Sequence, residues 1–294
     1  MGIKIVPKFK DTPIAARKTS YLTKIINMEA HEIDYQIFGE EMQFVEIELD
    51  PYETVIAESG SFMMMDDDIE LATIFGDGSH QEQNKGLWGK VLSAGKRLIT
   101  GESLFMTAFT HEGEGKKRVS FAAPYPGRII PLDLTKLEGK IVCQKDAFLC
   151  AAKGVSVGVE FSKKLGRGFF GGEGFIMQKI EGDGMAFLHA GGTIVQKELQ
   201  IGERLRIDTG CLVGFTRYVN YDIEMIKGIK NMVFGGEGLF YAQLEGPGTV
   251  WIQSLPFSRL ADRIVSASRH YGGKSKGEGS VLGGLGDLLD GDGW

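Results

Sequence analysis

At 294 residues, 43% hydrophobic and 24% charged, the chain has the composition of a folded globular protein, and this excludes wholesale disorder. A net charge of −6 provides no general basic field for phosphate, and no apolar run approaches the roughly 20 residues that span a bilayer. Glycine is the outlier, at 42 residues against only 8 prolines. Glycine supplies the positive φ of tight turns and weakens helix interiors, so the excess favours β structure.

Residues 1–34 form a basic N-terminal arm. Within residues 1–30, Lys4, Lys8, Lys10, Arg17, Lys18 and Lys24 face only Asp11 and Glu29. Thr12-Pro13 is a helix-start signal, with Tyr21, Leu22, Ile25 and Ile26 on one side. No apolar h-region follows Met1, and Val6 breaks the myristoylation pattern. The expected location is cytoplasmic, with a membrane surface reachable through residues 1–30 as the peripheral alternative.

Internal repetition organises the middle of the chain. Gly172-Glu173-Gly174-Phe175 and Gly236-Glu237-Gly238-Leu239 open matching stretches 64 residues apart, with glycines recurring at 182/246 and 184/248. A more diverged copy starts at Gly101-Glu102-Ser103. Glu-Gly-Asp-Gly and Glu-Gly-Pro-Gly between apolar runs are strong β-hairpin punctuation, so each copy is expected to hold a strand and its returning partner. An upstream half repeats too, with Gly60, Ala147 and Gly210 in matching places, the last two at an offset of 63. The sequence thus predicts an all-β fold of three tandem β-units packed about a pseudo-threefold axis. Unit one covers 35–125 with an insertion at about 76–95 around Trp88, unit two 126–191, and unit three 192–256. Residues 257–294 close the chain with a helix over Ser258–His270 and a Gly-rich tail, nine glycines falling within 272–294.

Several of these segments resemble one family. They are Pro51 to Met65 with Ala57-Glu58-Ser59-Gly60-Ser61-Phe62-Met63, Gly101-Glu102-Ser103, and the paired Gly-Gly-Glu-Gly runs. The family is named for altered inheritance of mitochondria, its twenty-fourth member. The resemblance implies a duplicated β fold like that of the tryptophan RNA-binding attenuator protein, with no settled biochemical activity. The eukaryotic namesake is associated with the mitochondrial inner membrane. The basic arm departs from the family pattern, and its role is not carried over.

The repeated glutamates Glu102, Glu173 and Glu237 are the candidate ligand site, since carboxylates meeting about an axis suit a cation. Their presence in every copy favours a structural duty, and no metal or cofactor is assigned. Gly166-Arg167-Gly168-Phe169-Phe170-Gly171 spells a dinucleotide fingerprint, yet the residues after it read as a strand and not a helix. Asp66-Asp67-Asp68 with Glu70 is read as a solvated acidic run. His31, His80, His111, His189 and His270 are scattered, and no Gly-x-Ser-x-Gly elbow marks a nucleophile. Met63-Met64-Met65 is expected to fill gaps where units meet, with a binding surface as the alternative. Cys143, Cys150 and Cys211 match no zinc spacing and are expected as free buried thiols. The resulting function is a non-enzymatic scaffold or binding protein acting through surfaces or self-association. A homo-oligomer or protein partner is expected, and the absence of repeated Lys/Arg argues against nucleic acid. The rival readings are a peripheral membrane organiser and a small-molecule enzyme near the unit-one insertion.

Overall fold

The computed structural model describes residues 29–75, 105–163, 175–225 and 240–271. Glu102, Glu173, Glu237, the Trp88 insertion, the arm through residue 28 and the tail from residue 272 lie outside the described residues, as does the 166–171 fingerprint. The chain is mostly β and separates into residues 1–256 and 257–294.

Four antiparallel sheets make up the first part. The first orders β1 (Asp34–Phe38), β2 (Phe44–Leu49), β7 (Lys117–Ala122) and β4 (Phe62–Met65). The second runs β5 (Ile69–Phe75), β6 (Phe105–His111), β3 (Thr54–Glu58), β10 (Phe148–Ala152), β13 (Met185–Gly191), β8 (Gly127–Asp133). The third runs β11 (Ser156–Lys163), β12 (Phe175–Glu181), β9 (Lys140–Gln144), β16 (Leu212–Thr216), β19 (Gly248–Gln253), β14 (Ile194–Leu199). The fourth holds β15 (Arg204–Asp208), β18 (Phe240–Glu245) and β17 (Asn220–Met225).

Pairing in β2–β7 is found again in β8–β13 and in β14–β19. In each set the second-to-last strand joins two others in one sheet, while the last strand joins two in another. One irregularity recurs as well. A β-bulge lies between Phe62 and Met64, between Phe148 and Cys150, and between Leu212 and Gly214. Bulges re-aim strands and are built features of a fold, so this shared kink fixes which residues correspond. Ladder partners place β9 and β15 at an offset of 64, with Lys140 opposite Glu181 and Arg204 opposite Glu245. The offset of 63 expected for the upstream half is corrected to 64.

The hairpin expectation is also corrected. β12 and β13 flank Glu181-Gly182-Asp183-Gly184 but enter different sheets, β12 between β11 and β9 and β13 between β10 and β8. β18 and β19 part in the same way, as do β6 and β7. These turns are corners between sheets. Gly184 shows why its site takes no side chain, since a Cβ there would stand 2.6 Å from the Ala30 Cβ. The neighbouring Asp183 carboxylate accepts the backbone N–H groups of Glu29 at 2.9 Å and Ala30 at 3.0 Å, tying residues 29–30 to this corner.

Burial follows strand position. β2 alternates, with Val45, Ile47 and Leu49 fully buried and Glu46 and Glu48 turned outward, the mark of a strand covered on one face. β10 is buried at every residue, and its Phe-Leu-Cys-Ala-Ala sequence is apolar throughout to match. Two apolar clusters result. The larger spans β2, β3, β10 and β13 with Phe109, Phe121 and Phe187, and the smaller gathers Phe175, Met177, Phe215 and Leu244.

Adjacent strand sets are welded through shared sheets. β3 pairs with β10, Ala57 opposite Cys150 and Ile56 opposite Ala151. β9 pairs with β16, Cys143 opposite Gly214 and Val142 opposite Phe215. The glycine at the second joint has a steric reason. A Cβ on Gly214 would lie 2.7 Å from the Val142 carbonyl oxygen.

The second part contains α1 (Phe257–Tyr271), close to the expected helix. Phe257, Ile264 and Val265 are exposed on it.

Candidate functional site

His31 and His111 are occupied with structure. His31 Nδ1 accepts the Thr54 amide at 2.9 Å, and the His31 amide donates to the Lys153 carbonyl. His111 is buried; its Nδ1 accepts the Gly113 amide at 3.1 Å and its Nε2 lies 2.9 Å from the Gly115 carbonyl oxygen, which shapes the β6–β7 turn. His189 is buried against the Tyr125 ring, centroids 4.4 Å apart. Burial lowers its pKa to about 4, so the imidazole is neutral at physiological pH. Cys143 and Cys150 are buried free thiols whose pKa burial raises, and Cys211 is half-buried. Raised thiols are poor nucleophiles.

The acidic run behaves as a surface segment. Asp66 accepts the Arg118 amide at 2.9 Å, Asp68 pairs with the Lys117 ammonium at 3.1 Å, and all of Asp66–Asp68 are exposed. Among the described residues no three His, Cys, Asp or Glu side chains gather in a way that holds a metal ion.

The methionines stand apart. Among the described strands β4 is an edge, hydrogen-bonded to β7 on one side only. Phe62, Met63, Met64 and Met65 are exposed by 43%, 48%, 45% and 38%. The shared bulge aligns Met63 with Leu149 and Val213, which are 2% and 0% exposed. The expectation that Met63–Met65 fill gaps between units is therefore corrected, because no described strand covers this edge. The structurally equivalent partner edge is β15, which pairs only with β18 among the described strands and presents exposed Arg204 and Arg206. The Arg206 guanidinium lies 5.3 Å from the Tyr241 ring centroid, and Arg204 meets Glu245 at 2.8 Å. The candidate site is this pair of edges, each unpaired on one side among the described strands.

Comparison with known proteins fits the topology. A model of the mitochondrial biogenesis AIM24 family matches residues 35–255. The chain belongs to this family. Among AIM24 relatives, an uncharacterized protein of Streptococcus pyogenes serotype M6 is 30% identical over 246 residues, covering 81% of this chain and 94% of its own. The crystal structure of a Streptococcus pyogenes protein superposes with a TM-score of 0.62 at 24% identity, over 80% of this chain and all of that one. At that identity the likeness speaks for the fold alone.

One further residue carries no sequence signature of its own. Glu58, at the end of β3, corresponds to Gln144 at the end of β9. Gln144 Nε2 donates to the Thr209 carbonyl at 2.6 Å across the β9–β16 joint. Glu58 lies at the β3–β10 joint, where burial and the nearby Asp146 raise its pKa to about 7. The signal that could have found it is the polar residue ending each matched strand, Glu58, Gln144 and Asp208.

Proposed function

We propose that this chain is a non-enzymatic scaffold that works by offering bare sheet edges to protein partners, further copies of itself included. The observation that carries the reading is β4, four consecutive large apolar side chains exposed on an edge strand whose equivalents are buried. Proteins usually blunt such edges with charge, proline or a covering loop. An edge of main-chain donors and acceptors flanked by adaptable methionines suits strand addition. A photo-crosslinking amino acid at position 63, in the source cells, is expected to give discrete adducts of higher mass. The same group at Ile201, which is 87% exposed in a turn, serves as control. Position 63 yielding no adduct beyond that of position 201 overturns the scaffold reading.

A peripheral membrane role is the second reading, favoured by the exposed Phe257, Ile264 and Val265 of α1. No helix among the described residues is long and apolar enough to cross a bilayer, so a contact made by α1 lies at the surface. The family's description as mitochondrial biogenesis proteins is compatible with an organising role at membranes. Flotation of the full chain with anionic liposomes, and its loss on replacing Ile264 and Val265 of α1 by Asp, is the expected result. Flotation of neither form ends this reading.

A further inference from the structure

We infer that β4 of one copy of this chain pairs antiparallel with β15 of a second copy, extending the fold head to tail. The inference deepens the scaffold reading and rests on it.

The chain builds this joint twice already. β10 receives β3, and β16 receives β9. The bulges make Met64 the counterpart of Cys150 and Gly214. The opposite ladders make Ile207 the counterpart of Ala57 and Cys143, since these face Ala242, Thr107 and Gln178 on β18, β6 and β12. Among the described strands, each of the receiving kind has its donor except β4, and each donor has its receiver except β15. Carrying over the register of the two built joints sets Met64 opposite Ile207 and Met65 opposite Arg206. One step further, Asp66 meets Leu205 and Asp67 meets Arg204.

Charge supports the same register. The receiving end carries Asp66, Asp67 and Asp68, all exposed, and the donating strand carries exposed Arg204 and Arg206. Opposite charges across a strand pair stabilise it, and like charges oppose it. In this register Asp67 and Arg204 are the one directly opposed charge pair, Arg204 also meeting Glu245 of its own chain, with Met64 and Ile207 in apolar contact at the other end.

The absence of a β4–β15 ladder within the chain leaves the joint to a second copy. The built joints set Ala57 against Cys150 and Cys143 against Gly214, and all four residues are at or near full burial. Met64 and Ile207 are longer than the residues at those places, although the same joints also seat Ile56 and the Val142–Phe215 pair. Among the described strands β4 and β15 share no ladder, and none of them covers the free side of β4. A contact between unlike surfaces of identical chains is heterologous, so it repeats from copy to copy.

The test uses Met64→Cys and Ile207→Cys as separate variants of the full chain, each with Cys211→Ser. Directly opposed residues of antiparallel strands lie about 4.5–5.5 Å apart at Cα, within disulfide reach. Mixed and oxidised, the two variants are expected to give a disulfide-linked dimer that neither forms alone. The double variant is expected to give a ladder of dimers and longer species on a non-reducing gel. A crosslink confined to the monomer band means closure within the chain and overturns the inference. A dimer from Met64→Cys alone, or no crosslink, overturns it as well. A photo-adduct at position 63 with a different protein sinks this pairing while the scaffold reading stands, whereas no adduct sinks that reading itself.

Discussion

Phe187→Ala is expected to destabilise the fold by about 3–5 kcal/mol, the range for deleting a buried aromatic ring. Phe187 is 0% exposed on β13 and meets Tyr35 of β1 edge-on, ring centroids 4.9 Å apart. It therefore contacts a strand of the first sheet from within the second. Its removal leaves a void walled by strands that are themselves paired on both sides, β10 and β8 flanking β13, so the site collapses poorly. Thermal or chemical denaturation reads the effect, with a melting temperature lowered by roughly 10 °C for a domain this long. Ile201→Ala, at an exposed turn, is expected to stay within about 0.5 kcal/mol of the parent. A loss below about 1 kcal/mol for Phe187→Ala would show that Phe187 does not sit in a packed core.

Glu58→Gln is expected to raise stability at pH 8 by up to about 3 kcal/mol and to leave it nearly unchanged at pH 4.5. The folded pKa of about 7 stands above the ordinary value of 4.5. Between those values the folded chain keeps a proton that the unfolded chain has released. The stabilising contribution is whole below pH 4.5 and is lost as pH rises through 7. Glutamine carries no titrating proton, so the difference between variant and parent grows across that window. The matching Gln144 shows that the side chain fits such a joint and donates across it. His189 runs the other way. Its pKa is lowered from 6.5 to about 4, so its contribution is present above pH 6.5 and is lost as pH falls through 4. The parent's two slopes oppose each other between about pH 4.5 and 6.5, and the variant exposes the histidine limb alone. Urea unfolding at a series of pH values measures both. A constant difference between variant and parent from about pH 4.5 to 8 would exclude a raised Glu58.

The class of fold was legible in the sequence because it depends on local chemistry. Turn glycines, alternation such as Val45, Ile47 and Leu49, and helical spacing at Leu260, Ile264 and Val265 are short-range signals. Partners were not legible. Glu181-Gly182-Asp183-Gly184 announces a reversal in the chain, but a reversal onto the same sheet and one onto another read alike. A stronger cue stands in the run Met185-Ala186-Phe187-Leu188. It is apolar at consecutive positions, and all but Met185 are buried, as befits a strand covered on both faces and not one half of an exposed hairpin. The methionine edge failed for the same long-range reason. Leu149 and Val213 lie on strands that β3 and β9 pair with, and nothing near Met63 in sequence says that no described strand takes the matching place beside β4. Glu58 escaped because a joint is made between residues nearly a hundred positions apart, Ala57 and Cys150 among them.

Each six-stranded sheet borrows half its members from one stretch of chain and half from the next. The four-stranded and three-stranded sheets each lie within one stretch, but neither six-stranded sheet does, and a break after residue 191 strips β9 of β16 while leaving β10 and β3 together. Melting of the strands on one side of a six-stranded sheet undoes hydrogen bonds on the other, so the described strands between β1 and β19 are expected to unfold as one cooperative event, unlike a row of beads lost singly from the end.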